Sequence, residues 1–236
     1  MGGRGGGSGL RGAGGGGVPV AQQPEITDIN QWGDLNRNRI SSFDDRVPGA
    51  AGSTREAVQW FGDHMGMTPA KAKEAADMFL YFTYHGDYEM HRNIGKGVHG
   101  NDVLDKVVGA PNAPVYTGQQ YRGLVISRAG LKKYIGIDVN PRDYINSVIK
   151  SGVWRETGGT SFTTSSSTAN LFGSDVGYGD VKVVVSYKGK TGFPIRHLSH
   201  YPGENEVFHS RAQMTKGYRI ANSTWSGDTV YIDIKD

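Results

Sequence analysis

The sequence predicts an α+β domain in which helices come first and strands follow. Between about residues 24 and 110 the apolar residues recur at helical spacing, whereas after about 115 they alternate with polar residues, as in half-buried strands. The chain has 236 residues, which is enough for one domain with its own core. We expect that domain at 24–236, with a helical part at 24–114 and a β-rich part at 115–236.

The first 23 residues differ in composition from the rest of the chain. Eleven of the first 17 positions are glycine, and this segment cannot bury apolar surface. Such sequences behave as flexible linkers. We therefore expect a disordered tail over residues 1–23.

Two helices are predicted in the first half. The Ser-Thr pair at 53–54 is a candidate cap for a helix that runs through Phe61. The Thr-Pro pair at 68–69 opens a second helix, because proline is favoured in the first turn. Alanines and large apolar residues then follow on one face, and Gly86 is expected to end this helix.

Six strands are predicted in the second half, with one helix from Pro141 to Lys150 between the first two. The predicted strands cover residues 121–127, 161–166, 181–187, 206–210, 217–221 and 229–234. Helices followed by strands favour a helical half packed on antiparallel sheets.

Composition excludes several classes of function. The chain has no cysteine, which excludes disulfides and cysteine-based zinc sites or nucleophiles. Its formal net charge is +3, and positive and negative residues are mixed along the sequence, so we expect no nucleic-acid surface. No run has the roughly 20 apolar residues of a membrane span, and no secretory signal is visible. His197 and His200 lack an obvious third ligand, so we expect no metal site.

Arg122 is the first candidate site residue. It lies in a predicted strand with Leu124 and Ile126 on the same face, and a buried charge needs an anionic partner. That partner is either an Asp or Glu of the chain or a bound diphosphate or carboxylate. A second candidate is the run of hydroxyl residues at 161–168, which either bond across the sheet or orient a carboxylate and contact a ribose.

Glu204 and Glu206 are the third candidate. On extended backbone, side chains at i and i+2 point to the same face. Two carboxylates at that spacing, entering an apolar strand, could stabilise a cation or act as acid and base. The alternative is a pair of acidic residues on an ordinary surface strand.

Taken together, these pieces resemble the arginine–serine–glutamate class of mono-ADP-ribosyltransferases, which includes bacterial toxins and animal ecto-enzymes. The resemblance covers roughly residues 78–235. It rests on an aromatic segment at 82–88, Tyr-Arg-Gly at 121–123, Phe-Thr-Thr-Ser-Ser at 162–166 and Tyr-Pro-Gly-Glu-Asn-Glu at 201–206. The class usually continues Tyr-x-x-Ile-Asn after the aromatic segment, whereas this chain has Tyr-Glu-Met-His-Arg at 88–92. The fold implied is a helical half packed on two antiparallel sheets that flank an NAD cleft.

The resemblance also implies roles for individual residues. Glu206 would bind the nicotinamide ribose and stabilise the oxocarbenium-like state through which the glycosidic bond breaks. Thr164 would hold Glu206, Arg122 would grip the diphosphate, and Gly123 would let the backbone meet the nicotinamide amide. The weaker NAD contacts implied are those of Ser166, Phe172 and Tyr88.

The acceptor implied by Glu204 is an arginine side chain of a target protein, which Tyr201 would help to contact. The expected activity is transfer of ADP-ribose from NAD to arginine, with no metal, by a toxin, effector or phage-encoded enzyme. Such an enzyme would act in the cytoplasm of a host or target cell. An NAD glycohydrolase on the same fold and a non-catalytic phage structural or binding protein remain as alternatives.

Overall fold

The computed structural model of the chain describes residues 23–27, 51–174, 176–199 and 201–236. The predicted tail therefore lies outside the described residues except for Gln23. The side chain of Gln23 donates to the carbonyls of Val108, at 3.0 Å, and Ala110, at 2.8 Å. The last residue assigned to the tail thus already contacts the domain.

The two helices predicted in the first half are present, and two more follow them. Helix α1 covers Ala51–Met65 and so begins two residues before the Ser-Thr pair expected to cap it, which corrects that prediction. Helix α2 covers Pro69–Tyr81 and has proline in its first turn, as predicted. A π-helical turn, Phe82–Gly86, leads into α3, Asp87–Arg92, and α4 covers Lys96–Val108. The second helix ends five residues before Gly86, because the π turn takes up the remaining aromatic residues.

The second half contains shorter helices between strands. Arg128–Gly130 forms α5 and continues as a π-helical turn, Leu131–Ile135. Helix α6 covers Pro141–Ser151, one residue longer than predicted. Helix α5 was not predicted, and neither were α7 at Ser166–Leu171 and α8 at Arg211–Lys216.

All six predicted strands are present, and four strands of two residues each, at 25–26, 115–116, 153–154 and 193–194, were not predicted. Strands β1 and β2 form a separate parallel pair, and the others form an eight-stranded sheet in the order β4-β9-β10-β6-β3-β5-β8-β7. Their bounds are β1 Glu25–Ile26, β2 Val115–Tyr116, β3 Gln120–Ile126, β4 Val153–Trp154, β5 Thr160–Thr163, β6 Val181–Tyr187, β7 Phe193–Pro194, β8 Glu206–His209, β9 Tyr218–Ser226 and β10 Thr229–Lys235.

Two features of the sheet correct the prediction of two antiparallel sheets. Strands β6 and β10 pair in parallel, so the sheet is mixed. Strands β3 to β10 also form one continuous sheet, although β3 and β5 are joined by a single residue pair, Tyr121 with Thr163. Beyond that pair the two strands separate, and the sheet opens there into the cleft described below.

The hydroxyl-rich strand ends three residues earlier than predicted. The Ser165 side chain accepts a hydrogen bond from the backbone N–H of Thr168 at 3.1 Å and so caps α7. Serine is among the strongest N-cap residues. Residues from Ser166 onward therefore leave the sheet.

Two apolar cores support these elements. One packs α1, α2 and α4 against Phe193 on the edge strand β7 and Phe208 on its neighbour β8. The other fills the opposite face of the sheet around Val183 and Ile232. Polar contacts also join the helical half of the domain to the β-rich half. Arg211 donates to Asp105 at 2.8 Å and to Asn93 at 3.2 Å, which ties α8 to α4 and to the end of α3.

Candidate active site

An open cleft of about 1240 Å³ lies between α3 and the point where β3 and β5 separate. Its walls carry aromatic side chains and a few convergent polar groups, as is usual for sites that hold organic ligands. Seven of the nine residues predicted for the site line this cleft: Tyr88, Arg122, Gly123, Phe172, Tyr201, Glu204 and Glu206.

Glu206 lies in the wall of the cleft with its carboxylate held on both oxygens. It is the first residue of β8, directly opposite Thr163, and is only 7% exposed. Ser161 donates to its Oε1 at 2.8 Å, and the Ser199 hydroxyl donates to its Oε2. Hydrogen bonds to a charged acceptor are stronger than neutral ones, so these two fix the carboxylate in place.

The predicted role of Thr164 therefore falls to Ser161, which is a correction. Thr164 lies beyond the end of β5 and is not part of the cleft wall; its backbone N–H donates to the Asn205 carbonyl at 3.2 Å. Ser166 is also outside the cleft wall, because it is the exposed first residue of α7. The early end of the strand displaces both residues from their predicted positions.

Glu204 reaches the cleft by a different route from the one predicted. It ends a 3-10 turn, Pro202–Glu204, and Asn205 has a φ of 51° in the left-handed region, which asparagine tolerates better than most residues. The two glutamates are thus not neighbours on one extended strand. Both nevertheless line the cleft. Thr163, the last residue of β5, donates its hydroxyl to the Glu204 carbonyl at 2.5 Å and so ties the turn to that strand.

Burial sets the electrostatic character of Glu204. Its side chain is partly buried, and this burial raises its pKa above the usual range. A carboxylate with a raised pKa is a stronger base, so Glu204 is suited to accepting a proton.

Arg122 is engaged by a carboxylate of the chain. Its Nε and Nη2 atoms donate to the two carboxylate oxygens of Glu156, each at 3.1 Å, and its Nη1 donates to the Ser161 carbonyl at 2.8 Å. Of the two partners that the sequence left open, the structure contains the acidic residue. Arg122 therefore acts as a brace between Glu156 and β5, the strand that carries Ser161.

Glu156 is itself surrounded by donors. Trp154 Nε1 and Thr160 Oγ1 lie 3.0 and 3.2 Å from its oxygens, and His91 Nδ1 lies 2.9 Å away. Burial opposes ionisation of this carboxyl, but Arg122 and the hydrogen bonds it accepts outweigh burial and hold its pKa well below the usual range. A buried charge that is paired and hydrogen-bonded in this way stays ionised.

Gly123 is required by packing. A Cβ atom at this position would lie 1.7 Å from the Ala169 carbonyl oxygen, because α7 passes directly over the strand. Gly123 also lines the cleft. Phe172, which follows α7, is 45% exposed at the cleft mouth.

A basic and aromatic cluster forms another part of the wall. The Arg92 guanidinium lies 4.1 Å from the ring centroids of both Tyr88 and Tyr134. The two rings meet edge to face at 5.5 Å, and Lys133 lies 4.9 Å from the Tyr134 ring. Arg92 lines the cleft, and no carboxylate among the described residues forms an ion pair with it.

The described residues contain neither a candidate metal site nor a candidate membrane span. No group of three or more His, Asp or Glu side chains in the described ranges is arranged to hold a metal ion. His200 and the side chain of His197 lie outside those ranges. None of the helices in the described part of the chain has the length and apolar character of a membrane span.

Comparison with solved structures identifies the fold. HopU1, an ADP-ribosyltransferase of Pseudomonas syringae pv. Tomato DC3000, has a TM-score of 0.55 at 12% identity, over 88% of this chain and 96% of its own. Exoenzyme S from Pseudomonas aeruginosa, solved with human 14-3-3 protein beta and carba-NAD, has a TM-score of 0.51 at 13% identity, over 77% and 81%. This chain has the mono-ADP-ribosyltransferase fold.

One further solved structure matches with a lower TM-score. The Vis toxin, an ADP-ribosyltransferase from Vibrio splendidus, is 17% identical over 84% of this chain and 88% of its own, with a TM-score of 0.47. No protein-family profile and no curated protein matches the sequence. The fold that the short motifs predicted is confirmed, apart from its division into two sheets.

Several residues of this transferase-fold cleft were missed at the sequence level. Ser199, Glu156, His91 and Arg92 were assigned no role. The need of a buried arginine for an anionic partner pointed to a residue such as Glu156. Nothing local could select it among the 23 acidic residues of the chain, because it lies 34 positions from Arg122.

Proposed function

We propose that this protein is an NAD-dependent mono-ADP-ribosyltransferase that modifies arginine side chains of a target protein. The observation that carries the proposal is Glu206, a buried carboxylate held by two hydroxyls in the wall of a large cleft. The transferase fold supports it. We expect NAD as the substrate and a toxin or effector that meets its target in another cell.

Glu206 is suited to stabilising positive charge on a ribose. The bond that breaks joins C1′ of the ribose to the nicotinamide nitrogen, and nicotinamide leaves with the bonding electrons. Ser161 and Ser199 hold the Glu206 carboxylate at the cleft wall. We expect this carboxylate to accept a hydrogen bond from the ribose 2′-hydroxyl while its charge faces the developing cation.

Glu204 supports arginine as the acceptor. A guanidinium is permanently charged in water and must lose a proton as its nitrogen forms the new bond to C1′. Glu204 lies on the same cleft, and burial raises its pKa, so it can both attract the guanidinium and take the proton. Tyr201, 49% exposed on the same turn, would contact the target protein.

The NAD contacts need one change from the sequence-based assignment. The Arg122 guanidinium is bound on three nitrogens by Glu156 and Ser161, so we assign the diphosphate to Arg92 instead. Gly123 and Phe172 would flank the nicotinamide, and Tyr88 would lie beside the diphosphate through its contact with Arg92.

Matched carboxylate variants test the proposal. Glu206→Gln should abolish both ADP-ribose transfer and NAD hydrolysis, because the charge that faces the cation is lost. Glu204→Gln should abolish transfer to arginine and retain part of the hydrolysis. Both activities are measured as nicotinamide release and as ADP-ribosylated agmatine, with thermal unfolding as the folding control. Equal loss of both activities in the two variants would refute the division of roles.

A further inference from the structure

His91 is a cleft residue whose orientation is fixed by the protein. It lies in the last turn of α3 and lines the cleft with 27% of its side chain exposed. Its Nδ1 atom is 2.9 Å from Glu156 Oε2 and 3.2 Å from Thr160 Oγ1. Its Nε2 atom has no hydrogen-bond partner among the residues that the structure describes.

The carboxylate determines the hydrogen-bonding character of the ring. Glu156 Oε2, which can only accept, is the nearest partner of Nδ1 at 2.9 Å, whereas the Arg122 Nη2 donor is farther away at 3.5 Å, so we assign the proton to Nδ1. In the neutral ring Nε2 then holds a lone pair and is an acceptor. A carboxylate that orients a histidine in this way also fixes the plane of the ring.

The backbone around His91 is held as firmly as its ring. Thr157 donates its hydroxyl to the His91 carbonyl at 2.8 Å, and Asn101 donates to the Met90 carbonyl at 2.8 Å. Asn101 also accepts from the Gly159 backbone at 2.9 Å, so α3, α4 and the start of β5 form one frame. The acceptor is therefore held rigidly at the cleft wall.

A continuous chain of contacts connects His91 to the carboxylate of the proposed reaction. Glu156 binds both His91 and Arg122, and Arg122 donates to the carbonyl of Ser161. Ser161 in turn donates its hydroxyl to Glu206. The free acceptor on His91 and the carboxylate of Glu206 thus lie on one braced wall.

We propose that His91 is a substrate-binding residue that accepts a hydrogen bond through Nε2 from a ribose hydroxyl of the dinucleotide, with Glu156 as its positioning residue. This inference rests on the proposed function, since it assumes that NAD occupies the cleft. An oriented imidazole with a lone pair on Nε2 can accept from a ribose hydroxyl and cannot accept from the diphosphate, which offers acceptors only.

Two substitutions separate this role from a structural one. His91→Asn keeps a donor near the position of Nδ1 and loses Nε2, whereas His91→Gln places an amide oxygen near Nε2 and loses the contact with Glu156. Substrate binding through Nε2 predicts that His91→Asn raises the KM for NAD by about 3- to 10-fold at nearly unchanged kcat, and that His91→Gln stays within about twofold. The matched control is His99→Asn, because His99 lies outside the cleft beside Glu74.

The outcomes distinguish the inference from the proposed function. Calorimetric titration of the wild-type protein with NAD is made first, and absence of binding overturns both. If the wild-type protein binds NAD, a wild-type KM in His91→Asn together with a lowered melting temperature in His91→Gln overturns the inference alone. That pattern would mean that His91 only fastens α3 to Glu156.

Discussion

The hydroxyl that holds Glu206 gives the sharpest single prediction. The sequence motif assigns this contact to Thr164, whereas the structure gives it to Ser161, at 2.8 Å from Oε1. Ser161→Ala removes only the hydroxyl, and the hydrogen bond from Arg122 to the Ser161 carbonyl can remain. The matched control is Thr164→Val, which keeps the shape of the side chain and its backbone contact to Asn205.

The expected magnitude follows from the nature of the bond. A hydrogen bond to a charged group contributes about 1.5 to 3 kcal/mol, and about 1.4 kcal/mol corresponds to a tenfold change in rate. Since Ser199 still holds the other oxygen of Glu206, we expect Ser161→Ala to lower kcat by about 10- to 100-fold. Thr164→Val should stay within about twofold of the wild-type protein.

The assay is steady-state release of nicotinamide from NAD, with thermal unfolding of each variant as the folding control. The loss should appear in kcat more than in KM, because Glu206 is expected to act on the transition state. A large loss in Thr164→Val together with near wild-type turnover in Ser161→Ala would refute the reasoning. It would mean that Thr164 holds Glu206, as the sequence motif predicts.

Two other perturbations test the charges around the cleft. Arg92→Ala should weaken NAD binding by about 10- to 100-fold in a calorimetric titration, since a charged hydrogen-bond donor is lost. The control is Arg142→Ala, which removes a similar stacked arginine 4.1 Å from Trp225 and should leave binding unchanged. Equal effects of the two substitutions would contradict the assignment of the diphosphate to Arg92. Burial lowers the pKa of His209 to about 3, so between about pH 6.5 and 3 only the unfolded chain takes up the proton. The free energy of unfolding of the wild-type protein, relative to that of His209→Gln, should therefore fall by about 1.4 kcal/mol per pH unit as pH decreases in this range. The same pH dependence of unfolding in both proteins would contradict this prediction.

The fold could be predicted because its signals are local. The helix from Pro69 and the strand 181–187 were placed correctly from caps and from alternation of apolar residues. The parallel pairing of β6 and β10 could not be foreseen, because nothing in either strand specifies its neighbour in space. The single pair between Tyr121 and Thr163 is a contact of the same non-local kind.

The candidate site was predicted in its residue types and less well in its contacts. The sequence points to Glu204, Glu206 and Arg122, and all three line the cleft. The assignment of Thr164 failed because the cap formed by Ser165 ends the strand early, a local choice that outweighed the β-propensity of the hydroxyl run. Glu156 was missed because a buried ion pair between distant segments leaves no periodic signal.

The central claim is tested most directly by incubating the wild-type protein with NAD and agmatine and analysing the products by mass spectrometry. We predict release of nicotinamide and an agmatine product that carries one ADP-ribose, both absent with Glu206→Gln. Nicotinamide release without the adduct would contradict arginine as the acceptor. Absence of NAD turnover in the folded wild-type protein would contradict the proposed enzyme.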